Sequence, residues 1–169
     1  GLVARDEHNQ VVPAIAKTWD VSDDGTTYTF HLNDGMTFSN GDKLDADDVA
    51  WSINELVTKQ YHDADSLVNF VSVKASDPNT VELKLSAPYA NLLWVLTGRP
   101  GLVFDKDAKY DAKTQAIGSG PYTVEKFVTN SSITLKANPN YWGANKAKTD
   151  TVVVRYFTDD NAAVNALKS

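Results

Sequence analysis

The residues able to do chemistry are few and scattered. Three histidines, His8, His31 and His62, stand alone in the sequence. None forms the one-turn pair that zinc hydrolases place on a helix, so the pattern argues against a protein-built metal site. With no cysteine there is no thiol nucleophile, no disulfide framework and no Cys-type zinc site. Gly118-Ser119-Gly120 lacks the spacing of a nucleophile elbow, and Ser119 reads as a turn residue. The acidic doublets Asp23-Asp24, Asp47-Asp48 and Asp159-Asp160 carry the groups a glycosidase pairs, yet each falls at a turn or helix start, where capping explains it. Trp19, Trp51, Trp94 and Trp142 have rings that stack on sugars or clamp ligands, and they serve equally as core fillers unless a cleft holds them. The sequon Asn130-Ser131-Ser132 reads as an exposed turn.

The elements that would position these groups follow from periodicity. Residues 27–32 alternate between two turns, with Tyr28, Phe30 and Leu32 on one face of a half-buried strand. Asp45 opens a helix over 46–59 whose Val49, Ile53, Leu56 and Val57 form one stripe, and Asp47 and Asp48 meet the positive end of its dipole. Residues 71–75 and 80–85 flank Asp77-Pro78-Asn79 and predict a hairpin. Ser86 and Pro88 predict a helix over 89–97, with Gly98 free to take positive φ at its end. Strands are expected over 122–127, 133–137 and 151–157, and Asp159 or Asp160 caps a last helix carrying Ala163, Val164 and Leu167. The cluster Gly98-Arg99-Pro100-Gly101 is the expected subdomain boundary.

Bulk properties bound the answer. A chain of 169 residues, 42% hydrophobic and 22% charged, has the composition of an ordinary folded domain. Its formal net charge of -6 repels phosphate backbones, which argues against nucleic acid as a partner. No apolar run reaches the roughly 20 residues of a membrane span. The opening Gly1-Leu2-Val3 and a closing helical pattern without a glycine stop are expected of a piece of a longer protein.

Four blocks then carry a resemblance. The first is Pro13-Ala14-Ile15-Ala16-Lys17-Thr18-Trp19-Asp20-Val21-Ser22-Asp23-Asp24-Gly25-Thr26-Thr27-Tyr28-Thr29-Phe30-His31-Leu32. Next comes Asp34-Gly35-Met36-Thr37-Phe38-Ser39-Asn40-Gly41 with the Asp45-Ala46-Asp47-Asp48-Val49 helix start. Gly118-Ser119-Gly120-Pro121-Tyr122 and Asn138-Pro139-Asn140-Tyr141-Trp142-Gly143 complete the set. In this order and spacing they resemble the family 5 extracellular solute-binding proteins, which serve ABC importers of oligopeptides, dipeptides and nickel complexes.

The resemblance implies an α+β chain with mixed sheets and flanking helices, part of one lobe of a type II periplasmic-binding-protein-like fold. Residues 1–98 would be the inserted subdomain of lobe I with its lead-in strand, and 99–169 part of the hinge-bearing lobe I, the second lobe being absent. It further implies a non-enzymatic protein without cofactor, placed in the periplasm or on the cell surface. Its partners would be a short peptide or a metal chelate and a membrane permease of the ABC type. In peptide-binding members the second lobe carries the acid that anchors the peptide amino terminus, so this chain alone is expected to bind weakly or not at all. Two ligand-binding residues follow. Tyr61, in Tyr61-His62-Asp63, matches a cleft-lining region, or else it is a surface aromatic on the helix end. Arg99 matches the Arg-Pro pair of nickel-binding members, whose arginine holds chelate carboxylates, or else it braces the hinge or meets solvent. The aromatic that the nickel branch carries near Asp63 is not matched here. A glycan-binding or glycan-hydrolysing domain using the doublets and tryptophans is the rival from another class.

Overall fold

The computed structural model describes residues 1–111 and 113–168. In chain order the elements are β1 (Val3–Arg5), β2 (Val11–Pro13), β3 (Ala16–Val21), β4 (Thr27–Leu32), α1 (Ala46–Thr58), β5 (Phe70–Asp77), β6 (Thr80–Leu85), α2 (Leu92–Val95), β7 (Tyr122–Val128), β8 (Ser132–Ala137), β9 (Thr151–Arg155) and α3 (Asp160–Lys168). Short 3-10 turns cover Ala64–Ser66 and Arg99–Gly101.

The strict alternation of β4 makes it a central strand. Tyr28, Phe30 and Leu32 point into the core while their neighbours are half-buried, and β4 is flanked on both sides in the order β3-β4-β6-β5. All of these pairings are antiparallel. The β5–β6 hairpin turns where Asp77 Oδ1 accepts from the Asn79 N–H at 2.8 Å, the Asx geometry that the Asp-Pro-Asn triplet favours. Helix α1 covers this sheet with Val49, Ile53 and Leu56 buried, each such side chain contributing about 1.5–3 kcal/mol by leaving water. Its start is a capping box: Asp45 accepts from the Asp47 N–H and Asp48 reaches back to the Asp45 N–H at 3.0 Å.

Two other antiparallel sheets complete the chain, β1-β2 and β7-β8-β9. Val3 of the first, and Leu2 just before it, join the same core as Phe30, Leu92, Leu96 and Val103. No residue of α3 is buried, and Asp159 caps it by accepting from the Ala162 N–H at 2.8 Å. Among the described residues no helix is long and apolar enough to cross a membrane.

One expected element is corrected. The helix foreseen over 89–97 is a single turn, Leu92–Val95. The Tyr89 carbonyl that would start it accepts instead from the Leu92 N–H at 3.1 Å and the Tyr28 hydroxyl at 3.3 Å. At the other end the Thr97 hydroxyl donates to the Trp94 carbonyl at 2.7 Å. Gly98 lies at φ -95 and not in the left-handed region, because the chain leaves the turn extended and passes directly into Arg99–Gly101. The glycine that closure requires is Gly101, where a Cβ would overlap the Leu96 carbonyl.

Candidate binding site

The chain brings a loop, a strand end and a turn together around a shallow concavity of about 240 Å³. Arg5, Asp63, Ser66, Trp94, Thr97 and Arg99 supply its polar and aromatic lining. Arg5 arrives on the last residue of β1. That strand is held beside the Arg99–Gly101 turn by the Leu2 N–H, which donates to the Gly101 carbonyl at 2.6 Å. Trp94 comes from α2, and Arg99 begins the turn that follows it.

Asp63 reaches the site from the loop after α1. The Tyr61 N–H donates to the Leu56 carbonyl at 3.0 Å and the Tyr61 carbonyl accepts from Ala64 at 3.0 Å, which folds the chain back on itself. Asp63 sits there at φ 70, in the left-handed region that Asp tolerates better than branched residues do. One of its oxygens accepts from Arg99 Nη1 at 2.9 Å, and the other lies 3.5 Å from His62 Nε2. The Ser66 hydroxyl donates to the Asp63 carbonyl at 2.6 Å and steadies the turn. The Arg5 guanidinium lies 4.6 Å from the centre of the Trp94 ring, a separation suited to cation–π attraction.

The concavity thus holds two guanidinium groups against one carboxylate, a positive spot on a chain of formal net charge -6. Guanidinium groups remain protonated and offer only donors, so these two recognise acceptors. Of the residues singled out in the sequence, Arg99 lies in this lining. Tyr61 stands outside it, 57% exposed, on the loop that places Asp63.

A second, larger groove of about 710 Å³ runs between Ile117-Gly118-Ser119-Gly120-Pro121 and Tyr141-Trp142-Gly143, with Ile15 and Val103 on its wall. Two of the sequence blocks meet here. The Asn138 N–H donates to the Pro121 carbonyl at 2.8 Å, and Asn138 Nδ2 donates to the Gly120 carbonyl at 3.1 Å.

The acidic doublets are occupied elsewhere. Asp24 accepts from the Ser22 hydroxyl and from the backbone and hydroxyl of Thr26, contacts that hold its carboxyl below the ordinary range. Burial pushes Asp48 up, opposed by the N–H groups of Asp45 and Lys106. His31 Nε2 is 2.9 Å from Asp20 on the neighbouring strand. Among the described residues no group of three or more His, Asp or Glu is placed to hold a metal ion.

With this geometry in view, the chain can be set beside known proteins. The profile of "Bacterial extracellular solute-binding proteins, family 5 Middle" matches residues 10–169. The chain belongs to this family. One relative, the dipeptide-binding protein of Escherichia coli (strain K12), is 33% identical over 172 residues, covering 85% of this chain and 32% of that protein. Among solved structures, NikZ from Campylobacter jejuni in complex with Ni(L-His) superposes with a TM-score of 0.90 at 29% identity, covering 99% of this chain and 35% of that one. DppA from Helicobacter pylori in complex with the peptide STSA gives a TM-score of 0.86, also at 29% identity, over 99% of this chain and 38% of that one. The family is one of solute-binding proteins, and the chain has their type II α+β fold. It spans about a third of the length of the curated relatives it matches.

Arg5 and the seat that Trp94 provides for it were missed by sequence reasoning, as was the Asp63–Arg99 pair. The residue types were visible. Their convergence depends on contacts between distant parts of the chain, which no local pattern encodes.

Proposed function

We propose that the whole protein is the solute-binding component of an ABC importer, capturing short peptides outside the cytoplasm and delivering them to a membrane permease. This chain would form one wall of a cleft, residues 1–98 and 99–169 being two parts of one lobe, with a second lobe closing over the solute. The protein is a carrier and not an enzyme in this reading. The observation that carries it is the Arg99 concavity on a family 5 scaffold: fixed donors and an aromatic face, suited to holding a small polar solute. Arg99 would pair with a solute carboxylate, and Tyr61 would offer its exposed ring from the adjoining loop.

A nickel or other metal chelate is the second reading. It is favoured by the presence of a second guanidinium, Arg5, beside Arg99, because chelators present several carboxylates. The two readings part in one experiment. The whole protein is purified natively and the solute that travels with it is identified by mass spectrometry. Peptides retire the nickel reading. A metal chelate that is lost in a folded Arg99→Ala variant retires the peptide reading.

A further inference from the structure

The two arginines of the concavity are not equivalent, and the difference bears on which one grips the solute. Arg99 already donates to Asp63 at 2.9 Å. Arg5 has no carboxylate partner among the described residues. What holds it is the Trp94 ring 4.6 Å away. Cation–π attraction to a ring uses no carboxylate acceptor, so the guanidinium keeps N–H groups for bidentate hydrogen bonds to a solute carboxylate. The indole also restricts the side chain, so less rotamer freedom is lost when an anion arrives. The Ser66 and Thr97 hydroxyls that share the lining donate to backbone carbonyls within their own turns.

We infer that Arg5, seated on Trp94, is the principal carboxylate-binding and specificity-determining residue of this concavity, with Arg99 as a secondary donor tied back by Asp63. The inference rests on the solute-capture reading and adds the chemical requirement that the solute present a carboxylate here. That group can come from a peptide C-terminus or from a metal chelate.

The test uses the whole protein, freed of bound solute by unfolding and refolding, and titration calorimetry with two probe pairs. One pair is trialanine and trialanine amide. The other is nickel with L-histidine and nickel with L-histidinamide. Removing Arg5 in Arg5→Gln is expected to weaken the acid of the pair that binds by about tenfold to a hundredfold, the worth of a charge-assisted contact, and to leave the amide within about twofold. Arg5→Lys, which keeps the charge but loses the fork, should fall between. The pair that responds identifies the source of the carboxylate. If Arg5→Gln weakens acid and amide alike, or neither, the inference is overturned while solute capture stands. If the wild type binds none of the probes, both fall. The melting temperature of each variant, expected to match wild type because Arg5 is exposed, separates lost binding from lost folding.

Discussion

Asp63 restrains Arg99 at little structural cost, since the pair lies on the surface with side chains 61% and 39% exposed. Exposed ion pairs contribute less than about 1 kcal/mol, and Asn tolerates the left-handed backbone that Asp63 adopts. Asp63→Asn should therefore leave the melting temperature nearly unchanged while freeing Arg99 and removing the one negative charge in the lining. Carboxylate affinity in the whole protein is expected to rise about fivefold, the effect of a charge a few ångströms away in a partly solvated site. Weaker binding in the variant would mean that Asp63 itself contacts the solute. Two buried carboxylates offer a separate check through pH. Burial would raise Asp105, but hydrogen bonds from Asn40 and from the Asp107 and Ala108 N–H groups prevail and hold it below 3.8. A lowered folded-state pKa stabilises the fold above the ordinary value, and that contribution is lost as pH falls through the depressed one. Asp105→Asn should cost about 2 kcal/mol at neutral pH, a penalty that shrinks in acid. Asp48, raised by burial, has the opposite sign: its contribution is complete below 3.8 and disappears as pH rises through the elevated value. The penalty of Asp48→Asn should therefore grow as the solution is acidified, and denaturant melts across the acid range would show the two slopes diverge.

At the scale of elements, Gly101 connects the core to the site. Its carbonyl receives the Leu2 N–H, and its missing side chain lets the turn pass against Leu96. Gly101→Ala is expected to destabilise by about 1–3 kcal/mol through overpacking, and to weaken solute binding more than a surface control because the turn carries Arg99. Chemical denaturation and titration of the same variant check both halves. Elements of this kind were unevenly legible. β4, β6 and α1 could be read because strict periods of two or 3.6 run between clear turn and cap signals, and tertiary burial agrees with them. β1 and β2 are three residues long, too short for any period to register. β3 lies at the sheet edge with only Ala16 buried, so its sequence shows no apolar alternation. Arg99 was legible only through the Arg-Pro pair of a family pattern. Arg5 was invisible because its meaning comes from Trp94, which it meets only through a contact between distant parts of the chain.

The whole molecule distributes its burial unequally, and that bears on what this chain does alone. The core lies around β4, β6 and α1, whereas Val153, Val154, Tyr156, Phe157, Val164 and Leu167 of the C-terminal part are exposed. In a family whose members are about three times as long, such a surface is suited to covering by further chain, and the Arg5–Arg99 concavity is shallow enough to be one wall of a deeper site. Ligand raises the melting temperature only as far as it binds the folded state, by RT ln(1 + [L]/Kd). One wall offers a solute few contacts. At millimolar trialanine the 169-residue chain should thus show no shift in Tm, because its Kd exceeds the ligand concentration. Under the peptide reading the whole protein, with Kd near the micromolar range, should gain about 4 kcal/mol at a thousandfold excess over Kd and several degrees in Tm. Scanning calorimetry of the two proteins side by side makes the comparison. A shift in the short chain equal to that of the whole protein would mean that the concavity grips its solute unaided, and that closure by a second lobe adds nothing to affinity.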